Sequence, residues 1–418
     1  MADFRVGLQV RPILNALKRH KVATALIVLQ VALTLAVVSN AFFIVATRVV
    51  HLSRPTGTDE AHLFVIRNAW RSQVDPGRIG ALMRADLAVL RQVPGVRDAI
   101  ASEAFPLEGG GGVLMRLRTE PEQTAKAKLA IAYLGDTHAI DTFGVTLAEG
   151  RNFRDDEVKD IGPYDKLSSP SIIVTRSLAS KLFPDSPALG KTIWLEDGPS
   201  TIVGILTSLQ GPYAGSTTRS IDEDSVLFPA RQADPAGTVY IVRTHSTAMH
   251  AVIQASLAAL SSQGGLRLVD PVDGVQTLAR AREAGYDTDR SVATMMAVVC
   301  GLLLLATAGG IVGLSSFWVG QRKRQIGVRR ALGARAADIL LYFHIENAMI
   351  AAGGIVLGVV LSIGGNMALM KLYEIPHLPI AWLACGALVV WLIGQLAVHG
   401  PARSASRVAP VIAIRSDG

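Results

Sequence analysis

Charged residues and cysteines are both scarce in this chain. Only 18% of the 418 residues are Asp, Glu, Lys or Arg, whereas about 25% is typical of soluble globular proteins. The two cysteines, Cys300 and Cys385, both lie inside apolar runs. This composition counts against a soluble enzyme, a disulfide-stabilised secreted domain and a Cys-x-x-Cys metal site.

Sequence signatures of catalysis and nucleotide binding are missing as well. There is no Gly-x-Ser-x-Gly nucleophile elbow, and His138, His245 and His250 lack metal-ligand spacing with carboxylates. The segment 190–192 (GKT) resembles the end of a phosphate-binding loop, but Asp185 stands where that loop needs its first glycine. We therefore predict no catalytic residue, no metal ligand and no cofactor site in this chain.

What the chain does contain is four long apolar runs. Each has a charge-free stretch of roughly 20 residues or more, the length that a helix needs to cross the hydrocarbon core of a bilayer. The first run is longer than the apolar region of a signal peptide, so we interpret it as an uncleaved anchor. The predicted transmembrane helices cover residues 22–47, 291–321, 339–370 and 378–398.

The distribution of charge orients these helices. The net charge is +7, yet residues 49–290 contain 25 basic and 29 acidic side chains. The positive excess lies in the remaining segments, which argues against one broad nucleic-acid-binding face. Short loops rich in Lys and Arg stay in the cytoplasm. We therefore predict cytoplasmic segments at 1–21, 322–338 and 399–418, with both termini inside, and periplasmic segments at 48–290 and 371–377.

The large segment 48–290 reads as a mixed α/β domain, because apolar residues recur with strand-like and helix-like periods in turn. Strands are predicted at 62–68, 113–119, 171–174, 191–195, 201–206, 237–243 and 266–269. Helices are predicted at 78–92, 176–183 and 248–261, and from about residue 273 into the second apolar run.

Four motifs, in the right order, then point to a family. The segment 324–334 (RQIGVRRALGA) resembles the E-I-G-x-R-x-A-x-G-A signature of FtsX/MacB-like permeases of ABC transporters. The end of the chain, 401–415, is similar to the closing P-A-x-x-A pattern of that family. Segments 140–153 and 173–192 look like parts of the MacB-type periplasmic core.

The resemblance implies a type VII, mechanotransmission architecture in the bacterial inner membrane. It consists of four transmembrane helices, arranged one plus three, around a Porter-like periplasmic domain with an inserted Sabre-like part, here expected at about 140–225. The implied partners are a dimer of ABC ATPases that holds ATP and Mg, a second permease, the lipid bilayer and, in some members, a periplasmic adaptor and an outer-membrane duct. No nucleic acid is implied.

The resemblance also assigns ATPase coupling to the loop between the second and third apolar runs. We expect this loop to form a short helix in which Ile326, Leu332 and Ile339 offer apolar contacts and the arginines offer forked contacts to carboxylates. Attraction to anionic lipid would explain the arginines but not the two interposed glycines. The predicted coupling residues are Arg324, Gln325, Ile326, Gly327, Arg329, Arg330, Leu332 and Gly333.

Two further residues, His344 and Glu346, lie at the cytoplasmic end of the third apolar run. They are either additional coupling contacts or polar groups at the water interface, and the cost of intramembrane charge favours the interface.

The sequence departs from the family pattern at Gln325 and Ile412, where the family usually has Glu. The loss of two carboxylates from the cytoplasmic face leads to the hypothesis of a non-identical permease partner, with a homodimer left open. The expected function is export of a peptide, antibiotic or lipid-like substrate. The alternatives are a lipoprotein-extracting Lol-type permease and an FtsX-type regulator of cell-wall hydrolases.

Overall fold

The computed structural model describes residues 21–71, 74–121, 127–213, 221–245, 247–270, 274–373 and 377–407. The chain forms two compact units, one made of Met1–Ser53 with Asp289–Gly418 and the other of Arg54–Thr288. The predicted segment 1–21, apart from Lys21, and the predicted tail beyond Arg407 lie outside the described residues.

The described elements alternate as an α/β protein flanked by long helices. The helices are α1 (Lys21–Leu52), α2 (Pro76–Gln92), α3 (Ala139–Phe143), α4 (Arg176–Leu182), α5 (Met249–Ser262), α6 (Leu278–Gly285), α7 (Asp287–Gln321), α8 (Lys323–Ala331), α9 (Ala336–Tyr373) and α10 (Ile380–Ser406). The strands are β1 (Leu63–Trp70), β2 (Val96–Ser102), β3 (Val113–Leu117), β4 (Lys128–Gly135), β5 (Leu147–Gly150), β6 (Lys159–Ile161), β7 (Ser171–Thr175), β8 (Thr192–Leu195), β9 (Gly198–Leu206), β10 (Ser225–Gln232), β11 (Thr238–Thr244), β12 (Arg267–Leu268) and β13 (Val275–Thr277).

Helices α1, α7, α9 and α10 are each long and apolar enough to span a bilayer. This confirms the prediction of four transmembrane helices in a one-plus-three arrangement. The helices extend beyond the predicted runs because charged and polar residues continue the last turns outside the hydrocarbon region.

Glycines bring three of these helices close together. A Cβ atom on Gly354 of α9 would lie 2.5 Å from Val31 of α1, and one on Gly358 would lie 2.9 Å from Leu35. On α10, a Cβ atom on Gly386 would lie 2.5 Å from the Ser39 hydroxyl. Small residues let helix backbones approach inside a membrane, where van der Waals packing replaces the hydrophobic effect between helices.

A few polar pairs also join the long helices. The Gln30 amide donates to the Ala306 carbonyl at 3.0 Å, and the hydroxyls of Thr34 and Thr307 are 2.7 Å apart. The Asn40 amide donates to the Ser362 hydroxyl at 3.0 Å. Such bonds satisfy polar groups that have no water to bind in the bilayer interior.

The second unit contains two sheets. In the first, the strand order is β12-β1-β11-β2, with β13 also pairing with β1. Helices α2 and α5 cover one face, where apolar side chains of these helices and of the strands form one core. The other face shares a core with the second sheet, built around Val65, Ile100, Tyr133 and Phe143.

The second sheet has the order β3-β4-β10-β7-β9-β5, with β6 on β10 and β8 on β9. It mixes parallel pairs (β4 with β10, β7 with β9) with antiparallel ones (β7 with β10, β3 with β4). Its far face packs against α4. The prediction of a large mixed α/β domain is confirmed.

Two details differ from the sequence-based expectations. The helix expected from about residue 273 begins only at Leu278, because Val275–Thr277 pairs with β1 as a strand, and a second interruption at Tyr286 precedes α7. The excursion that forms the second sheet runs from Val113 to Gln232, wider than the insert expected at 140–225.

Candidate functional site

The segment between α7 and α9 folds as the short helix α8, followed by a tight reversal. Three backbone bonds close the helix: Leu332 to Val328 at 3.0 Å, Gly333 to Arg330 at 3.1 Å and Ala334 to Arg329 at 3.0 Å. This pattern is a Schellman cap, which needs a left-handed residue just past the helix. Gly333 supplies it with φ +97°.

Helix α8 buries one side in its own unit. Ile326 and Gly327 are buried, and Ile326 packs in the core with Trp318, Ile339 and Phe343. The expected partner contacts of Ile326 and Ile339 are therefore made inside the chain. The reason is that Ile326 of α8 packs across the reversal in the same core as Ile339 of the first turn of α9.

The opposite side of α8 is open to solvent. Leu332 is 83% exposed, in contrast to the buried Ile326. The predicted coupling residues Arg324, Gln325 and Arg329 are also exposed, and Arg330 is half-buried.

A buried ion pair connects the start of α8 to α9. The Arg322 Nη1 atom lies 3.0 and 3.1 Å from the two carboxylate oxygens of Glu346, and their side chains are 14% and 3% exposed. The Arg322 guanidinium also lies over the Trp318 ring at 5.8 Å. Glu346 is thus shielded from solvent within the protein, and Arg322 provides its counter-charge.

A second arginine closes a small cleft between α8 and α9. The Arg329 guanidinium lies 5.1 Å from the centre of the Tyr342 ring, a cation–π distance. The cleft has a volume of about 170 Å³ and is lined by Arg322, Gln325, Arg329, Asp338 and Tyr342, among others. Gln325 therefore faces a cleft with arginines on two sides, where the family usually places a carboxylate.

His344 belongs to a different contact. Its Nδ1 atom lies 2.8 Å from the Gln395 side-chain oxygen of α10, and its Nε2 atom lies 3.4 Å from His399. The structure therefore brings Glu346 to α8 and His344 to α10, although the two residues are neighbours in sequence.

Sequence patterns did not identify three features of this site: Trp318, Tyr342 and the pairing of Arg322 with Glu346. Arg322 was visible only as one member of a basic cluster, and nothing in the spacing identifies its partner 24 positions later. Across the described ranges, no group of three or more His, Cys, Asp and Glu side chains could hold a metal ion. The arrangement is suited to docking a protein, with an apolar tip, exposed guanidinium groups and a rigid base.

Two family models match the chain. The MacB-like periplasmic core domain matches residues 24–260, and the FtsX-like permease C-terminal model matches residues 297–410. Together they cover most of the sequence and leave residues 261–296 between them.

Curated relatives give the same picture. A macrolide export ATP-binding/permease protein MacB 1/2 of Paracoccus denitrificans is 24% identical over 86% of this chain and 51% of its own length. MacB of Rhodospirillum rubrum is 30% identical over 60% of this chain and 38% of its own length. The uncharacterised ABC transporter permease YknZ of Bacillus subtilis is 22% identical over 87% of this chain and 86% of its own length. The chain spans about half the length of the MacB relatives or less.

Solved structures with a partial likeness are extracellular or periplasmic regions. The periplasmic region of MacB from Actinobacillus actinomycetemcomitans matches with a TM-score of 0.34 and 12% identity, covering 56% of this chain and 96% of that one. The extracellular domain of YknZ matches with a TM-score of 0.31 and 16% identity, covering 49% of this chain and 99% of that one.

Proposed function

The chain belongs to the MacB/FtsX-like family of ABC transporter permeases, and from this premise we propose that it is the membrane subunit that couples an ATPase to movement of its periplasmic domain. ATP and Mg bind to the ATPase, which lies outside these 418 residues. The sequence contains no phosphate-binding loop, so this chain itself does not hydrolyse ATP.

The observation that supports the proposal best is the exposed leucine at the end of a rigid, capped helix. The core of a protein interface is more apolar than the rest of the surface and is enriched in arginine, and a few buried anchors carry most of the binding energy. Leu332 is suited to be such an anchor, and the Schellman cap at Gly333 fixes its direction. We assign Arg324, Gln325, Arg329 and Leu332 to ATPase contact, and Arg322 and Glu346 to holding α8 against α9.

The substrate is proposed only by class. Relatives are named for export of macrolides and of pyoverdine, and we propose export of a peptide, antibiotic or lipid-like compound from the periplasm or outer leaflet. A second permease, identical or homologous, completes the membrane part, and a periplasmic adaptor with an outer-membrane duct completes the export route.

Replacement of the exposed leucine tests the coupling assignment. We expect Leu332→Asp to weaken ATPase binding by about 2 kcal/mol or more, as removal of an interface hot spot does. The measurement is the amount of ATPase that co-purifies with the tagged chain from its native membranes, together with ATP hydrolysis of the complex.

The matched control is Leu268→Asp, the same substitution at a leucine of β12 that is 49% exposed. It should leave ATPase binding intact. Charge reversal at Arg329 is a less direct test, because the guanidinium also packs on Tyr342. Full ATPase recovery with Leu332→Asp would show that α8 is not the docking element.

A further inference from the structure

In the second sheet of the periplasmic domain, strands β3 and β8 contact each other at one point and leave a groove between them beyond it. Strand β3 forms one end of the sheet and β8 is added at the other side, on β9. At Arg118 and Trp194 the two ends touch, through backbone bonds of 3.0 and 2.8 Å. Beyond this point they separate, and a groove of about 300 Å³ opens between β3, the 196–197 turn and the 164–167 loop.

The backbone of β3 faces this groove at alternate residues. Arg118 exchanges both of its backbone bonds with Trp194, so its N–H and C=O face β8. Residues two apart on a strand direct their backbone groups to the same side. The N–H and C=O groups of Arg116 and Leu114 therefore also face the groove.

The pairing of β3 with β4 leads to the same result. Leu114 lies opposite Ile131, and the Ile131 N–H bonds to Asp224 on the far side of β4 at 2.9 Å. Leu114 and Ile131 are thus a non-hydrogen-bonded pair, whose backbone groups face away from each other. Within the described part of the chain, no hydrogen-bond partner is seen for the backbone N–H of Leu114 or Arg116.

Large apolar side chains surround these unused backbone groups. Leu114 is 56% exposed, and Tyr164, on the opposite rim, is 98% exposed. Proteins usually protect a strand edge with an uncompensated charge, a proline or a covering loop. Here the rim combines an open edge with two exposed apolar side chains.

Most charges at the groove are paired. Arg116 pairs with Glu196 at 3.3 Å, and Lys166 pairs with Asp197 at 3.5 Å. The Asp165 carboxylate has no ion-pair partner among the described residues and accepts the Gly162 N–H at 2.6 Å. The groove therefore offers no unpaired positive charge to an acidic segment and one hydrogen-bonded carboxylate to a basic segment, which favours an occupant that is itself largely uncharged.

We propose that this groove binds an extended, uncharged and largely apolar polypeptide segment of an extracytoplasmic protein, which adds to β3 as a further strand. Amide groups spaced along an extended chain match the free groups of Leu114 and Arg116, and side chains on one face of the segment lie on Leu114 and Tyr164. A small apolar molecule would leave the backbone groups unsatisfied. The proposal goes beyond ATPase coupling and does not depend on it.

The test uses the full chain in lipid nanodiscs and a capped, fluorescein-labelled peptide of alternating valine and threonine. In the free chain, we expect fast amide hydrogen exchange at Leu114 and Arg116 and slow exchange at Met115 and Leu117, whose amides face β4. Added peptide should slow exchange at Leu114 and Arg116. N-methylation of one alternate set of peptide amides should abolish binding, and N-methylation of the other set should not.

Two substitutions of Leu114 distinguish the contribution of its backbone N–H to peptide binding from the contribution of its side chain. Leu114→Pro removes the groove-facing N–H, which the β4 ladder does not use, together with the leucine side chain, and should weaken peptide binding about tenfold. Leu114→Ala keeps the N–H and should weaken binding less, and Leu129→Ala, at an exposed leucine of β4, should have no effect. Thermal unfolding checks that each variant is folded.

Three results would overturn the proposal: no binding at millimolar peptide, equal effects of the two N-methylated sets, or unchanged exchange at Leu114 and Arg116 in the presence of bound peptide. Equal effects of the two N-methylated sets would mean that the groove recognises side chains of some other ligand. Unchanged exchange at Leu114 and Arg116 would mean that the peptide binds elsewhere.

Discussion

Arg322 and Glu346 show how a charged residue can lie at the edge of a membrane span. An isolated carboxylate there is strongly disfavoured, yet Glu346 is buried with both oxygens bonded to one guanidinium. Removal of one partner from a buried ion pair typically costs about 3–5 kcal/mol. The main effect of the pair is therefore to fix the position of the start of α8 against α9. Its net contribution to the stability of the folded protein is smaller.

Glu103 is a partly buried residue whose carboxylate has no basic partner among the described residues. Its Oε1 atom is buried and lacks a hydrogen-bond partner within the described residues, and its Oε2 atom accepts the Leu134 N–H at 3.3 Å. Burial, with a smaller contribution from Glu108, raises the pKa of this carboxyl to about 8, although backbone hydrogen bonds oppose the shift. The group is therefore protonated in the folded protein at neutral pH.

This raised pKa predicts a pH-dependent stability of the periplasmic domain. Between the ordinary pKa of 4.5 and the folded value of about 8, the folded state holds a proton that the unfolded state has lost. Stability therefore falls as pH rises through this window, by roughly 1 kcal/mol per pH unit. Thermal unfolding followed by tryptophan fluorescence should show this fall in the wild type and a flatter profile in Glu103→Gln. Glu120→Gln, at an exposed position, is the control, and parallel profiles of wild type and Glu103→Gln would refute the assignment.

At the scale of elements, the Schellman cap of α8 makes Gly333 a structural requirement. A side chain at φ +97° is strained, by roughly 1 kcal/mol for alanine. We expect Gly333→Ala to fray the end of α8 and to lower ATP-dependent activity of the complex several-fold, with less effect on expression. Gly320→Ala in α7, where a Cβ meets nothing within 4 Å, is the control. Equal activity of the two variants would mean that the cap does not position the coupling residues.

Periodicity predicted α2 and an apolar run predicted β1. Residues 78–92 match α2 closely, because this helix has one apolar and one polar face. Residues 62–68 match β1, which is buried on both faces, because their run of large apolar residues is typical of a buried strand. Strands β2 and β4 were not predicted: they are also largely buried, and alanine, which is depleted in strands, interrupts their larger apolar residues. The α8 motif was visible in sequence, but its pairing with Glu346 depends on tertiary contacts that no local pattern encodes.

At the scale of the whole molecule, charge and hydropathy together divide the chain into four charge-free runs and a mildly acidic middle. The four charge-free runs coincide with α1, α7, α9 and α10, and the mildly acidic middle corresponds to the separate unit Arg54–Thr288. Charge and hydropathy do not reveal that the described strands of that unit form two sheets, because the assignment of strands to sheets depends on long-range strand pairing.

The predicted orientation can be tested by cysteine labelling. In a chain with Cys300 and Cys385 replaced by alanine, Tyr164→Cys should react with a membrane-impermeant maleimide in cells with a permeabilised outer membrane. Leu332→Cys should react only after the inner membrane is opened. Both sites are highly exposed, at 98% and 83%, so burial does not limit labelling. The reverse pattern would invert the topology derived from the positive-inside rule.

The pairing of β2 with β11 has a consequence for changes in the second sheet. The chain leaves the first sheet after Ser102 and returns at Thr238, and Ser102 lies directly opposite Val239 in the ladder. The segment that forms the second sheet therefore begins and ends beside a single point of the first sheet. As long as residues such as Tyr133 still fill the shared core, we expect a loop of the second sheet to change in length without disturbing the ladder of the first sheet.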